Sequence, residues 1–164
     1  SQIDKQKETD ISMSLRIGAE GPLFESEKSR GYLKIEISSR EQVLLPTRIE
    51  YHQPIFPDIL PFNISFMDLH EILAEKIRAV MSRRRARDFF DLWFLLIKGI
   101  EIKLELVQSK LDYYNIEWNL DDFLERLKFS QKEWMRIIRP IVWQSVPQFN
   151  QISAQISEII RRQL

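Results

Sequence analysis

The spacing of hydrophobic and polar positions changes period once along the chain, near residue 67. Upstream the period is two. Residues 32–38 (YLKIEIS) set Tyr32, Lys34, Glu36 and Ser38 on one side and Leu33, Ile35 and Ile37 on the other, the pattern of a half-buried strand. Residues 11–17 (ISMSLRI) alternate well enough for another, broken by Gly18, Gly21 and Pro22. Residues 43–51 read as a third strand. They adjoin a proline-rich stretch (Pro46, Pro54, Pro57, Pro61) that cannot be continuous sheet. Residues 62–66 (FNISF) read as a short last strand. From residue 67 the spacing is helical. Asp68 followed by Glu71 is a capping-box-like start, with aspartate in place of serine or threonine. Helices are predicted over 69–82, 85–97 (ending at Gly99), 101–113, 119–128, 130–144 and 150–163. Trp134, Ile137, Ile138, Ile141 and Val142 form one packed face, and Pro140 should kink or restart that helix. The expected architecture is α+β: a β-rich part over residues 1–66 and a helical bundle over residues 67–164.

Residues 69–96 place charge where the pattern calls for burial. On a helical wheel Leu69, Ile72, Leu73 and Val80 form one apolar stripe, and Lys76 falls inside it. Arg83, seven residues on, lies on the same side. In the next segment Asp88 and Asp91 share a face with Leu92 and Leu95. Phe89, Phe90, Trp93, Phe94, Leu96 and Ile97 make the rest apolar almost all round, as in a buried central helix. A buried ion costs several kcal/mol unless it is paired or lines a wet cleft. Lys76, Arg83, Asp88 and Asp91 are therefore expected to meet one another, a ligand, or both.

A plainer reading competes with this. Lys76 snorkels to solvent, Asp88 pairs with Arg84 or Arg87 at helical spacing, and the arginine-rich turn is a solvated loop. What weighs against it is the convergence of four ionisable groups, two of each sign, on faces pointing into one bundle. Lysine is a charge clamp for phosphate and arginine a bidentate one. A carboxylate one helix away holds that lysine in place or acts on a proton. Glu36, beside Lys34, is either a cross-strand ion-pairing group or, if its sheet face looks toward the hairpin, a contributor to Mg²⁺ and triphosphate binding. His70 reads as a surface residue, and Trp118, Trp134 and Trp143 as core.

Composition narrows the classes. At 164 residues, 44% of them apolar, the chain is long and hydrophobic enough to fold around a real core. Lysine plus arginine equals aspartate plus glutamate, 24 each, so no general nucleic-acid footprint exists, although Arg83, Arg84, Arg85 and Arg87 are dense locally. Without cysteine, disulfides, thiolate nucleophiles and cysteine-ligated metals are excluded. His52 and His70 are too few and too separated for a zinc site. The longest apolar run is interrupted by Asp91 and too short to span a bilayer, so a cytoplasmic protein with no membrane role is expected.

The stretch EILAEKIRAVMSRRRARDFFDLWFLL resembles the signature of the AbiEii/AbiGii nucleotidyltransferase-like toxins. Lys76 and Arg83 match that family's lysine-then-arginine motif, and Arg87, Asp88, Asp91 and Leu92 its R-D-x-x-D-L motif. LKIEIS looks like its strand with a further acidic position, here Glu36. Trp134, Pro147, Phe149 and a final amphipathic helix resemble its tail. The resemblance implies a partial nucleotidyltransferase-type sheet followed by a C-terminal helical bundle. It also implies Mg²⁺-dependent transfer of a nucleotidyl group from a nucleoside triphosphate to an RNA or protein acceptor, with an antitoxin protein as partner. Lys76, Asp91 and Asp88 would be catalytic, and Arg83, Arg87 and Glu36 would bind substrate.

The family's glycine-serine turn and D-x-D metal pair do not occur in this sequence, so the main Mg²⁺ ligands are absent and no metal ligand is assigned here. The chain also opens at Ser1, without methionine, directly into strand-like sequence. It is read as the C-terminal portion of a longer toxin, inactive by itself, with an open sheet edge that invites self-association. The alternative is a non-catalytic helical module binding a protein or nucleic acid through residues 83–87.

Overall fold

The computed structural model of the chain describes residues 2–83, 85–142 and 145–164. Arg84 and Trp143 lie outside the described residues. The chain is α+β and divides into two compact units, Ser1–Gln42 and Val43–Leu164. The division precedes the strand-to-helix change, so the last two strands belong with the helices.

The first unit is an antiparallel sheet of β1 (Gln2–Thr9), β2 (Ser12–Ala19) and β3 (Gly31–Ser38), in that order. Its register explains the period-two pattern. Met13, Leu15 and Ile17 oppose Ile37, Ile35 and Leu33, while Ser14 opposes Glu36 and Arg16 opposes Lys34. One face is thus apolar and the other polar. Strand β1 (QIDKQKET) carries no apolar alternation and was not expected. It forms because β2 offers it a ladder, with Thr9 opposite Ser12 at the turn.

The second unit opens with a two-stranded antiparallel sheet, β4 (Arg48–His52) and β5 (Phe62–Phe66). The strand expected at 43–51 is shorter and later. The Leu44 and Leu45 amides turn instead to Glu71, and the prolines at 54, 57 and 61 lie outside both strands. Among the described residues six α-helices follow: α1 (Leu69–Ser82), α2 (Ala86–Ile97), α3 (Leu104–Asp112), α4 (Leu120–Phe129), α5 (Trp134–Ile138) and α6 (Phe149–Gln163). Their apolar stripes meet in one core. Leu73, Ile77 and Val80 of α1, Phe89 and Leu92 of α2, Leu111 of α3, Phe123 of α4, Ile138 of α5 and Ile156 of α6 are all fully or almost fully buried. Each such side chain contributes about 1.5–3 kcal/mol relative to exposure.

Two expectations are corrected. The helix predicted over 130–144 is a 3-10 turn, Ser130–Glu133, followed by five residues of α-helix. Pro140 lacks an N–H and crowds the preceding turn, so the helix stops before it. Asp68 does cap α1, accepting from the His70 amide at 2.8 Å. Glu71, however, does not complete a capping box, because its carboxylate is committed elsewhere.

Candidate functional site

Helices α1 and α2 form a hairpin whose turn is set by Arg83. The helix ends at Ser82, and Arg83 is an extended cap residue (φ −149°, ψ 151°) whose amide closes on the Ala79 carbonyl. Its side chain therefore leaves the α1 stripe, on which simple spacing put it, and reaches forward to the first turn of α2. Arg83 Nε donates to Asp88 Oδ2 at 2.8 Å and Nη2 to Oδ1 at 3.0 Å, a bidentate pair. The Asp88 side chain is 4% exposed, so the guanidinium supplies the pairing that burial demands. Its position in the first turn also suits a carboxylate, since the helix dipole favours negative charge there.

Lys76 lies across the same hairpin. Its Nζ donates to Asp91 Oδ2 at 2.5 Å and stands 3.8 Å from Asp88 Oδ1. The four residues are thus brought together as two cations and two anions. The pairs differ in access: Lys76 and Asp91 are 26% and 34% exposed at the side chain, so water reaches both. Arg87, in the first turn of α2, is exposed and has no ion-pair partner among the described residues. Glu36 belongs to the other compact unit, where it is exposed and pairs with Lys34 at 2.6 Å.

Spacing did not reveal a second charge cluster on α1. Glu71 has no solvent exposure; its Oε1 accepts from the Leu44 amide at 2.7 Å and its Oε2 from the Leu45 amide at 2.8 Å. Lys110 of α3, also buried, lies 2.6 Å from Glu71 and 3.0 Å from Glu75. Arg78 grips Glu75 through two nitrogens and stacks over Tyr114 at 4.7 Å. Desolvation pushes the Glu71 carboxyl up. Hydrogen bonds from Lys110 and the two amides outweigh it, so the group stays below the ordinary carboxylate range. Desolvation likewise lowers Lys110, but Glu71 and Glu75 raise it further. A signal was available in the sequence: Glu71, Glu75 and Arg78 share one helical face, and Lys110 breaks the apolar stripe of α3.

A family model described as the nucleotidyl transferase AbiEii toxin of type IV toxin–antitoxin systems matches residues 2–153. The chain belongs to that family. No curated protein and no solved structure is significantly similar to it. In this AbiEii-family chain the hairpin's donor set does not fit a resident Mg²⁺. Both Asp88 oxygens are taken by Arg83, and Asp91 leaves a single accessible carboxylate. Among the described residues no group of three or more acidic or histidine side chains converges on one point. Nor is any helix among the described residues long and apolar enough to cross a membrane.

Proposed function

We propose that the α1–α2 hairpin is the triphosphate-handling part of a nucleotidyltransferase toxin, with Lys76 as the phosphate clamp and Asp91 as the proton acceptor. The observation that carries this is the position of Lys76 Nζ, 2.5 Å from Asp91 and 3.8 Å from Asp88, at a water-accessible place on the hairpin. A nucleoside triphosphate offers Lys76 a denser anion than Asp91 does, and the flexible lysine stem lets Nζ move to it. Asp91 is then left without its cation and free to take a proton from the acceptor hydroxyl. That oxygen forms the new bond to the α-phosphorus while the bond to the departing pyrophosphate breaks. Asp88, locked by Arg83, acts as a positioning residue that keeps α1 and α2 in register. The exposed Arg87 adds positive charge for the phosphates or an RNA acceptor. On this reading the protein works in the cytoplasm, is held in check by an antitoxin, and needs Mg²⁺ ligands that this sequence does not contain. These residues alone bind a nucleotide but do not transfer it.

The test is calorimetric titration of the four ribonucleoside triphosphates, with Mg²⁺, into the chain and into Lys76→Met. Binding that Lys76→Met abolishes while its melting temperature holds supports the clamp. Equal binding by both variants removes Lys76 from the site.

One observation favours the interaction-module reading: Asp88 is consumed in an internal ion pair, while Arg85 and Arg87 are exposed. That reading expects binding of RNA or a protein partner to fall in an Arg85→Ala/Arg87→Ala variant and to survive Lys76→Met.

A further inference from the structure

The second unit carries an uncharged sheet edge. Among the described residues strand β5 has one strand neighbour, β4, so its far side presents backbone N–H and C=O groups that can pair with another strand. A two-stranded sheet is marginal by itself, and three or more strands are ordinarily needed for stability. Sheet edges are commonly protected by charge. Strand β4 has that protection, with Arg48, Glu50 and His52 along five residues, whereas β5 (Phe-Asn-Ile-Ser-Phe) has none. Phe62 and Ile64 remain 46% and 47% exposed. The hairpin is braced at its open end, where the Arg48 guanidinium meets Asp68 at 2.7 Å beside the start of α1, so the edge is held in place.

We infer that β5 pairs with β5 of a second copy of this chain, antiparallel about Ile64. The strand decides the partner, because its polarity reads the same in both directions. A two-fold through Ile64 sets Ile64 against Ile64, Phe62 against Phe66 and Asn63 against Ser65. Apolar side chains then meet on one face, small polar ones on the other, and no charge faces a like charge. The same operation on β4 opposes Glu50 to Glu50, which repels. A one-residue slip of β5 sets apolar side chains against polar ones, and a two-residue slip keeps the faces but shortens the ladder from five pairs to three, so the register centred on Ile64 is favoured. The product is a four-stranded sheet, β4-β5-β5-β4, across an isologous interface.

The absence of cysteine makes a clean test. Ile64→Cys brings two thiols directly opposite, within disulfide reach, and should give a covalent dimer under mild oxidation. In Ser65→Cys the mates are offset by two positions and should not cross-link. Light scattering of the unaltered chain from about 10 to 200 µM should show the mass rise from 19.7 kDa toward twice that value. Ile64→Lys and Ile64→Glu should each stay at the monomer mass with unchanged circular dichroism, and their equimolar mixture should associate again. Ile49→Lys, on the other strand, should leave association intact. A monomer across the whole range, or cross-linking at Ser65→Cys as ready as at Ile64→Cys, overturns the proposal.

Discussion

Replacing Lys110 with methionine takes the cation from a cluster in which Glu71 has no solvent exposure at all. Methionine keeps most of the side-chain volume, so the perturbation is chiefly electrostatic. Breaking a buried pair by removing one partner costs about 3–5 kcal/mol. Glu71 retains two amide donors, from Leu44 and Leu45, and Glu75 retains Arg78, which sets the expectation at the lower end, about 3 kcal/mol. For the unit Val43–Leu164, at about 2.1 cal/mol/K of unfolding entropy per residue, that is a fall in melting temperature of about 12 °C. Calorimetry and urea unfolding followed by circular dichroism read it directly. The double variant Glu71→Leu/Lys110→Met separates two contributions. It removes the charge imbalance, yet leaves the Leu44 and Leu45 amides without an acceptor, at about 1–3 kcal/mol each. It should therefore remain less stable than the unaltered chain. A Lys110→Met variant within about 0.5 kcal/mol of the original refutes the reasoning, since that is the range of an ordinary surface substitution.

Two further outcomes follow from the geometry. The Asp68 carboxyl is lowered to about 2, first by the His70 amide, then, against the upward push of desolvation, by the His70 ring and Arg48. A depressed pKa means stability that is present above the unfolded value and lost as pH falls, here from about pH 4 to pH 2. Asp68→Asn keeps a capping oxygen but should lose that acid dependence, as shown by the difference between the two urea midpoints across the window. Asp91→Asn removes the anion that competes with a triphosphate for Lys76, so nucleotide should bind about two- to fivefold tighter, the worth of a half-exposed ion pair. Weaker binding by titration calorimetry contradicts the clamp.

The helical half was legible because its signals are local. Strong 3.6-period stripes and the Asp68 cap put α1 at Leu69–Ser82 as expected, and α2 and α6 start within one residue of expectation. Elements decided by partners were not legible. Strand β1 exists through its ladder with β2, and residues 43–47 were diverted from a strand by the Glu71 carboxylate, a contact far away in sequence. At the site, spacing brought out the four residues that do meet, but not which pairs with which. The helix ends at Ser82, and that one-residue stop sends Arg83 to Asp88 and leaves Asp91 to Lys76.

The Glu71–Lys110 contact also sets an order of events during synthesis. Lys110 follows Glu71 by roughly 40 residues, which at 5–20 residues per second is a delay of about 2–8 s. Through that interval the β4–β5 hairpin is already made and α1 is completed, but the cation that lets Glu71 leave water has not arrived. Glu71 therefore holds its face of α1 hydrated until α3 emerges. Collapse of the hairpin onto a wrong surface, or onto a neighbouring nascent chain, is most exposed to chance in those few seconds.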